Sequence, residues 1–334
     1  MAPETMLEQA LDFPRQLVSG LAAAEVAGIP SGKPQAVALC GLGGSAAGGR
    51  LLAALFADHL AVPVVPVDST SLPGWIGADT LVVCTSYSGA TAETLGWWEQ
   101  AGQRGAQRIA VTAGGALAGR ASEGGAPCVV VEAGFQPRGA LGLLLGALVG
   151  ALDAAGVAPG TAALLAAAIP STARVVEAER ANAVTAKAEA AQLAGQIVVF
   201  YGSAARAAAA VRLKNQVNEN AKATAFAGAL PEMAHNEVLG WMGSNRHDFP
   251  AAAVFLRDVA EPAAAADLHN RIFALVASDR PTVLEWHGAG ESELERTLAL
   301  LIHGDVVSCH LAECEGVEAL DIARLTGLKA APAE

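Results

Sequence analysis

The sequence predicts an α/β protein with two doubly wound, flavodoxin-like parallel sheets arranged in tandem. Short apolar runs typical of buried strands alternate with longer helical stretches, and glycine-rich turns follow several of these runs. The runs of the first unit cover residues 36–40, 62–67, 81–85, 108–112 and 128–131. The runs of the second unit cover residues 196–201, 252–256, 281–285 and 306–312. Because the alternation occurs twice along the chain, two related units are expected.

Helical stretches set the predicted boundaries of these units. An apolar helix over residues 139–152 closes the first unit, which is placed at residues 1–152. Residues 153–193 form a linking helical segment, in which Ser171 is a candidate N-cap for a helix that continues to about residue 193. The second unit is placed at residues 194–334, and its residues 202–205 resemble residues 43–46 of the first.

The composition of the 334-residue chain argues against several classes of function. Hydrophobic residues make up 53% and charged residues 16%, as in a folded globular protein. A net charge of −12 without a basic cluster argues against nucleic-acid binding. The N-terminus lacks the features of a secretory signal, and the longest apolar run, residues 140–152, is too short to cross a membrane. The five cysteines have no metal-ligand spacing, so buried thiols in a cytoplasmic protein are expected, with no metal site.

Two loops of the first unit have the composition of a phosphate site. Residues 84–94 supply Ser86, Ser88 and Thr91 at the start of a predicted helix, where hydroxyls and backbone N–H groups can bind a dianion. Upstream, residues 41–49 form a glycine-rich loop with Gly44 and Ser45, which allows the backbone to approach a ligand closely. Both loops follow strands, so they can converge at the carboxyl edge of one sheet. A serine-rich turn can also simply cap a helix.

The glycine-rich loop admits a second interpretation as a dinucleotide site. Gly41, Gly43 and Ala46 fit the weaker G-x-G-x-x-A form of that fingerprint, and Asp68 could supply the acidic residue after the second strand. Dinucleotide binding gives no reason for the hydroxyl cluster in residues 84–94, so the sequence favours a phosphorylated small molecule.

Three further segments contain candidate catalytic side chains. Arg138 precedes an apolar helix, at an end where the helix dipole disfavours a cation. Because this position does not favour an arginine for structural reasons, a role in binding an anion is favoured. Glu219 lies between two asparagines whose amides could fix its carboxylate. His235 lies in a turn before a helix and could transfer protons near neutral pH. Each also has a plain structural interpretation as a surface arginine, an exposed glutamate or a structural histidine.

Taken together, these motifs resemble the bifunctional phosphoglucose/phosphomannose isomerases of the phosphoglucose isomerase superfamily. The resemblance covers nearly the whole chain and implies a fold of two sugar-isomerase (SIS) domains. It is carried by the motifs at residues 41–45, 86–91, 137–138, 218–220, 231–237, 316–317 and 328–329. The chain departs from the family at Ala90, which replaces an asparagine, and at residues 318–321, where members often have Asp-Pro-Thr-Pro.

The resemblance implies a metal-independent aldose–ketose isomerase that interconverts glucose 6-phosphate and mannose 6-phosphate with fructose 6-phosphate through a cis-enediol(ate), without a cofactor. The implied phosphate ligands are Gly44, Ser45, Ser86, Ser88 and Thr91. Arg138 would stabilise charge near C1 and C2, and Glu219 would move the proton between these carbons. His235 and Lys329 would assist opening and closure of the ring. Members are homodimers in which this histidine completes the partner's site.

Two rival functions use related folds. A non-catalytic SIS regulator needs the phosphate loops only, and it usually carries a DNA-binding segment, of which the sequence has no sign. The isomerase half of an amidotransferase would come with a glutaminase domain that begins with a catalytic cysteine, and the sequence has neither. The sequence therefore favours an isomerase over these two rival functions.

Overall fold

The computed structural model describes residues 3–242, 250–279 and 282–330, and it confirms an α/β fold with two parallel sheets. Two compact units are present. The first consists mainly of Glu8–Glu177 and Ala289–Ala299, and the second mainly of Ala178–Gly288 and Leu300–Glu334. The predicted boundaries at residues 152 and 193 stay predictions. Within the described residues, no helix is both long and apolar enough to cross a membrane.

The first unit contains a five-stranded sheet in which every pair of neighbours is parallel. Its strands are β1 (Ala36–Cys40), β2 (Val64–Val67), β3 (Thr80–Thr85), β4 (Gln107–Thr112) and β5 (Cys128–Val130). The order β2-β1-β3-β4-β5 is that of a flavodoxin-like sheet, with its switch point between β1 and β3. Since Cys40 pairs with Cys84, the loops that follow β1 and β3 begin side by side.

Several helices belong wholly or mainly to the first unit, whose core contains small and aromatic side chains. They are α1 (Met6–Leu11), α2 (Phe13–Glu25), α3 (Gly44–Leu55), α4 (Ala92–Gln103), α5 (Gly115–Glu123), α6 (Leu141–Ala154) and α7 (Thr161–Ala181). Trp97 and Trp98 of α4 pack in one cluster with Val82 of β3. Helix α6 is buried along nearly its whole length, which explains why its sequence is apolar without a polar face.

The second unit repeats the winding with a four-stranded parallel sheet in the order β7-β6-β8-β9. Its strands are β6 (Ile197–Gly202), β7 (Ala225–Ala229), β8 (Ala251–Arg257) and β9 (Val283–His287). The helices are α8 (Ala183–Leu193), α9 (Ala205–Gln216), α10 (Glu237–Met242), α11 (Ala263–Asp279), α12 (Glu293–Cys314) and α13 (Ala323–Ala330). Tyr201, Phe255 and Trp241 form the aromatic part of its core.

One strand prediction for this unit was wrong, and one strand was missed. Residues 306–312 lie inside helix α12, because a continuous apolar run fits a fully buried helix as well as a buried strand. Strand β7 was missed, because its residues are mostly alanine and glycine, which have low strand propensity. Of the predicted run 281–285, residue 281 lies outside the described residues, and the strand covers Val283–His287.

The prediction of an N-cap at Ser171 was also wrong. Pro170 and Ser171 lie inside α7, where Thr172 donates a side-chain hydrogen bond to the carbonyl of Ile169 at 2.7 Å. A proline lacks the N–H group that would bond to the preceding turn, but Ala168, Thr172 and Val176 around it are buried, so packing keeps this stretch helical. The expected single helix to residue 193 is two helices, because Asn182 has φ −136° and ψ 66° between α7 and α8.

Candidate active site

The two predicted phosphate loops meet at the carboxyl edge of the first sheet. Ser45 lies in the first turn of α3, and its hydroxyl accepts a hydrogen bond from the backbone N–H of Tyr87 at 3.1 Å. Tyr87 belongs to the loop between β3 and α4. Two helix N-termini therefore open at the switch point of the sheet, which is where doubly wound folds bind their ligands.

The serine-rich loop presents hydroxyls and backbone donors together. Ser86 Oγ lies 2.9 Å from Thr91 Oγ1, and Ser88 Oγ accepts from the backbone N–H of Ala90 at 3.3 Å. Thr91 is the N-cap of α4 but makes no side-chain capping bond. The first N–H groups of an α-helix have no partner within the helix, so this turn can donate to an anion.

Arg138 lies next to the glycine-rich loop. It occupies a 3₁₀ turn, Pro137–Gly139, just before α6, and only 2% of its surface is exposed. A Cβ atom on Gly44 would lie 2.9 Å from both Arg138 N and the carbonyl carbon of Pro137, so only glycine allows this approach of two backbones. The contact brings Arg138 to the loop of Gly44 and Ser45, and a buried arginine is not the surface residue of the plain interpretation.

Tyr87 supports this arrangement in a way that the sequence did not reveal. Its hydroxyl donates to the carbonyl of Glu132 at 2.8 Å and accepts from the N–H of Phe135 at 2.9 Å. Burial raises the pKa of the phenol, which therefore stays a donor at neutral pH. Tyr87 thus fixes the serine-rich loop against the segment that leads to Arg138.

The acidic residue required by the dinucleotide interpretation has another partner. Asp68 follows β2 and forms an ion pair with Arg50 of α3. A ribose hydroxyl would compete with this guanidinium for the carboxylate. The hydroxyl cluster has no role in that interpretation either, so the first sheet edge fits a phosphate group better.

Glu219 lies in a π-helical turn, Val217–Ala221, that continues α9. The side-chain oxygen of Asn218 accepts from the N–H of Ala225 at 2.8 Å, and the amide of Asn220 donates to Ser308 Oγ at 2.9 Å. The two asparagines therefore hold the backbone of the turn on both sides of Glu219. Single π turns within helices are frequent at functional sites.

A buried ion pair lies close to this turn. Arg212 of α9 donates to Asp305 of α12 at 2.9 Å, and both side chains are almost completely buried. Burial raises the pKa of Asp305 to about 6, opposed by the charge of Arg212. Burial likewise lowers the pKa of Arg212, while the charges of Asp305 and Glu219 act in the opposite direction. Arg212 is thus an electrostatic neighbour of Glu219 that sequence reasoning missed, although two helical turns separate them in sequence.

A cavity of about 580 Å³ opens beside Glu219. Its volume is in the range of small-molecule sites. One wall contains Asn218, Glu219 and Lys222, and the other contains residues 317–318 and 321–325. Lys329 belongs to α13, which follows the second wall, and its side chain lies outside the described residues.

His235 occupies a different part of the second unit. It ends the 3₁₀ turn Glu232–His235 and is exposed, whereas Met233 of the same turn is fully buried. Just after the turn, Glu237 accepts from the hydroxyl of Tyr201 at 2.9 Å, and this hydroxyl accepts from the indole of Trp241 at 2.8 Å. The core therefore fixes the turn while His235 faces outwards.

Comparisons with known proteins identify the family. The model of the bacterial phospho-glucose isomerase C-terminal SIS domain matches residues 182–331. A protein of Aquifex aeolicus named bifunctional phosphoglucose/phosphomannose isomerase is 33% identical over 304 residues, which cover 88% of this chain and 89% of that protein. This chain belongs to the bifunctional phosphoglucose/phosphomannose isomerase family.

Further comparisons agree with the fold and widen the chemistry to be tested. The tagatose-6-phosphate ketose/aldose isomerase of Escherichia coli superposes with a TM-score of 0.68 at 15% identity, covering 94% of each chain. A relative from Sulfolobus acidocaldarius named D-glucosamine-6-phosphate 4-epimerase is 32% identical over 206 residues, or 60% of this chain and 62% of that protein. The first similarity concerns the SIS fold alone.

In this member of the isomerase family, the second sheet edge differs from the first. Ala204 has φ 49° and ψ −126°, nearly the values of Gly43, so the loop after β6 repeats the path of the loop after β1. The structure thus matches Ala204 to Gly43, whereas the sequence had matched residue 202 to Gly43, two positions earlier. Arg206 then takes the place of Ser45, and its guanidinium donates to buried Asp258 at 2.8 Å. The side chain at this position is thus paired with a carboxylate of the protein, whereas the first sheet edge has the hydroxyl of Ser45 there.

Proposed function

We propose that this protein is an aldose–ketose isomerase that interconverts fructose 6-phosphate with glucose 6-phosphate and mannose 6-phosphate. The observation that carries the proposal is the convergence of Gly44, Ser45 and the serine-rich loop at the switch point of the first sheet, next to buried Arg138. Membership of the bifunctional isomerase family supports the same substrates. The acid–base residues of the second unit supply the chemistry.

The phosphate of the sugar is proposed to bind Gly44, Ser45, Ser86, Ser88 and Thr91. Backbone N–H groups and hydroxyls at two helix N-termini favour a dianion although the chain carries a net charge of −12. Fixing the phosphate, which does not react, orients the reacting carbons at the other end of the sugar. Arg138 then stabilises the negative charge that develops on the oxygens of C1 and C2.

Glu219 is proposed as the base that moves a proton between C2 and C1. Its anchored π turn and its position on the wall of a cavity of about 580 Å³ support this role. One carboxylate can remove the proton from C2 and return it to C1, so a single residue serves both half-reactions through the cis-enediol(ate). His235 and Lys329 are proposed to transfer the protons that open and close the sugar ring.

A homodimer is proposed in which His235 completes the site of the partner subunit. Its support is the exposure of His235 on a turn that the core holds in place. A cytoplasmic location is proposed as well. It is supported by the free state of all five cysteines, which suits a reducing compartment.

The reaction is proposed to need no metal ion, because a carboxylate, an imidazole and an arginine can together perform the proton transfers and stabilise the charge. The test is a coupled assay of fructose 6-phosphate conversion after exhaustive chelation. We expect the chelated enzyme to keep its activity and to form both glucose 6-phosphate and mannose 6-phosphate. Loss of activity that a divalent ion restores would contradict the metal-independent mechanism.

Two other outcomes of the same assay separate the alternatives. A protein that binds fructose 6-phosphate but converts none of it would be a sugar-phosphate-binding regulator with this fold. Glucosamine 6-phosphate is included because one relative is named for its 4-epimerisation. If the protein turned over only glucosamine 6-phosphate, the proposed substrates would be wrong and this amino sugar would take their place.

A further inference from the structure

Lys222 ends the π turn that carries Glu219 in an unusual backbone conformation. Its φ of 54° and ψ of 20° lie in the left-handed region. Glycine and asparagine are the usual residues there at the end of a helix, because a Cβ atom is disfavoured in this conformation. A glycine would therefore suit the backbone better, and the reason for a lysine has to be sought in its side chain.

The ammonium group of Lys222 binds three backbone carbonyls. It donates to Asn220 O at 3.2 Å, to Glu318 O at 2.5 Å and to Ala319 O at 3.3 Å. An ammonium group has three N–H donors, so it can make these three bonds at the same time. Asn220 belongs to the π turn, whereas Glu318 and Ala319 belong to the segment between α12 and α13. One side chain thus joins two segments that are distant in sequence.

The two joined segments form the two walls of the cavity beside Glu219. The wall of the π turn contributes Asn218 and Glu219, and the opposite wall contributes residues 317–318 and 321–325. The second segment also leads into α13, the helix of Lys329. The hydrogen bonds of Lys222 therefore run from one wall of the cavity to the other.

We propose that Lys222 is a positioning residue for isomerisation, which holds the turn of Glu219 at a fixed distance from the segment of residues 317–321. This inference rests on the proposed function of Glu219. Lys222 needs no contact with the sugar, because its donors are bound to carbonyls and it acts through the backbone. Since the phosphate is bound by other loops, loss of Lys222 affects kcat more than KM.

The test compares Lys222→Met, Lys222→Gly and Lys222→Arg with the wild-type protein in the fructose 6-phosphate assay. Misplacing a catalytic group by about 1 Å costs up to roughly 100-fold in rate, so we expect Lys222→Met and Lys222→Gly to lower kcat by about 10- to 100-fold with little change in KM. Lys222→Arg keeps donors for the carbonyls and should recover part of the rate. Lys187→Met, at an exposed position of α8, is the matched control and should keep wild-type kinetics.

Lys222→Gly separates positioning from stability. It removes the clamp, meaning the three hydrogen bonds of the Lys222 ammonium group, but it also relieves the strain of a left-handed backbone conformation. Its unfolding midpoint should therefore not fall, whereas its kcat should. A small alkylammonium ion added to this variant should restore part of the rate, because Lys222 and Glu318 are both exposed and an amine can approach from solvent. A general loss of stability would not respond to such an amine.

Hydrogen exchange tests the clamp without any turnover. In Lys222→Met, amides of residues 317–321 and of the π turn should exchange faster than in the wild type, while amides of the first unit stay unchanged. Failure of the wild-type protein to convert any sugar phosphate would refute the proposed function, and the exchange result would still decide the clamp. Wild-type kcat in both the Met and Gly variants, or unchanged exchange in Lys222→Met, would overturn the role of Lys222.

Discussion

We expect His303 of α12 to make the stability of the second unit depend on pH. Its Nδ1 lies 2.8 Å from a carboxylate oxygen of Glu179, and its Nε2 lies 2.7 Å from one of Glu189. Both ring nitrogens can donate at once only when the imidazole is protonated. The ring also packs edge-on against Trp286, with centroids 4.8 Å apart. A partly buried imidazolium thus connects the C-terminal end of α7 with α8 and α12, all within the second unit.

The magnitude follows from the shift in pKa. Burial opposes the charge on His303, but hydrogen bonds to Glu179 and Glu189 outweigh it and raise the pKa from 6.5 to about 9. At about 1.4 kcal/mol per pKa unit, this shift corresponds to about 3 kcal/mol of stabilisation. Because the pKa is higher in the folded state, this contribution is fully present below pH 6.5 and disappears as the pH rises through 9.

The assay is urea unfolding of the wild type and of His303→Gln between pH 6.5 and about 9, followed by circular dichroism. The wild type should lose roughly 3 kcal/mol more than the variant over this interval. His59→Gln, at an exposed position of the first unit, is the control and should behave like the wild type. An NMR titration that places the pKa of His303 at or below 6.5, or equal pH dependence of wild type and His303→Gln, would refute the reasoning.

Three further predictions concern particular contacts. Gly44→Ala places a Cβ atom 2.9 Å from Arg138 N and should raise the KM for fructose 6-phosphate by at least about 10-fold, the equivalent of one lost hydrogen bond to a charged group. The control Gly74→Ala meets no atom within 4 Å and should leave KM unchanged. Equal KM values for the two variants would contradict the contact. Ala204→Gly should raise the free energy of unfolding by roughly 1 kcal/mol in urea titrations, because glycine relieves the backbone strain at φ 49°. A lower free energy of unfolding would argue against strain at this position. His235→Ala should slow turnover of ring-closed sugar more than that of a substrate supplied in open form, and equal slowing of both would remove His235 from ring opening.

The placement of the two candidate phosphate loops was predictable because the requirements for such loops are local. Glycines and hydroxyls after a strand are visible in the sequence, and the parallel order of the sheet brings such loops to one edge. The residues that support them were not visible. Tyr87 acts through backbone partners at Glu132 and Phe135, and nothing in the sequence indicates that these segments are neighbours.

The surroundings of Glu219 likewise depend on partners that are distant in sequence and could not be predicted from it. The sequence shows two amides beside Glu219 but does not show that they bond to the N–H of Ala225 and the hydroxyl of Ser308. The pair of Arg212 and Asp305 depends on how α9 packs against α12, part of which had been predicted as a strand. Long-range packing thus decides which polar residues surround the candidate base.

The assignment of Glu219 as the base is tested most directly by measuring C2 proton exchange and turnover of Glu219→Gln in deuterated water. Glutamine keeps the size of the side chain and removes its basicity. Both exchange and isomerisation should fall by at least ~10²-fold, while the variant still binds fructose 6-phosphate through the loops of the first unit. Exchange and turnover near the wild-type rate would show that another group moves the proton.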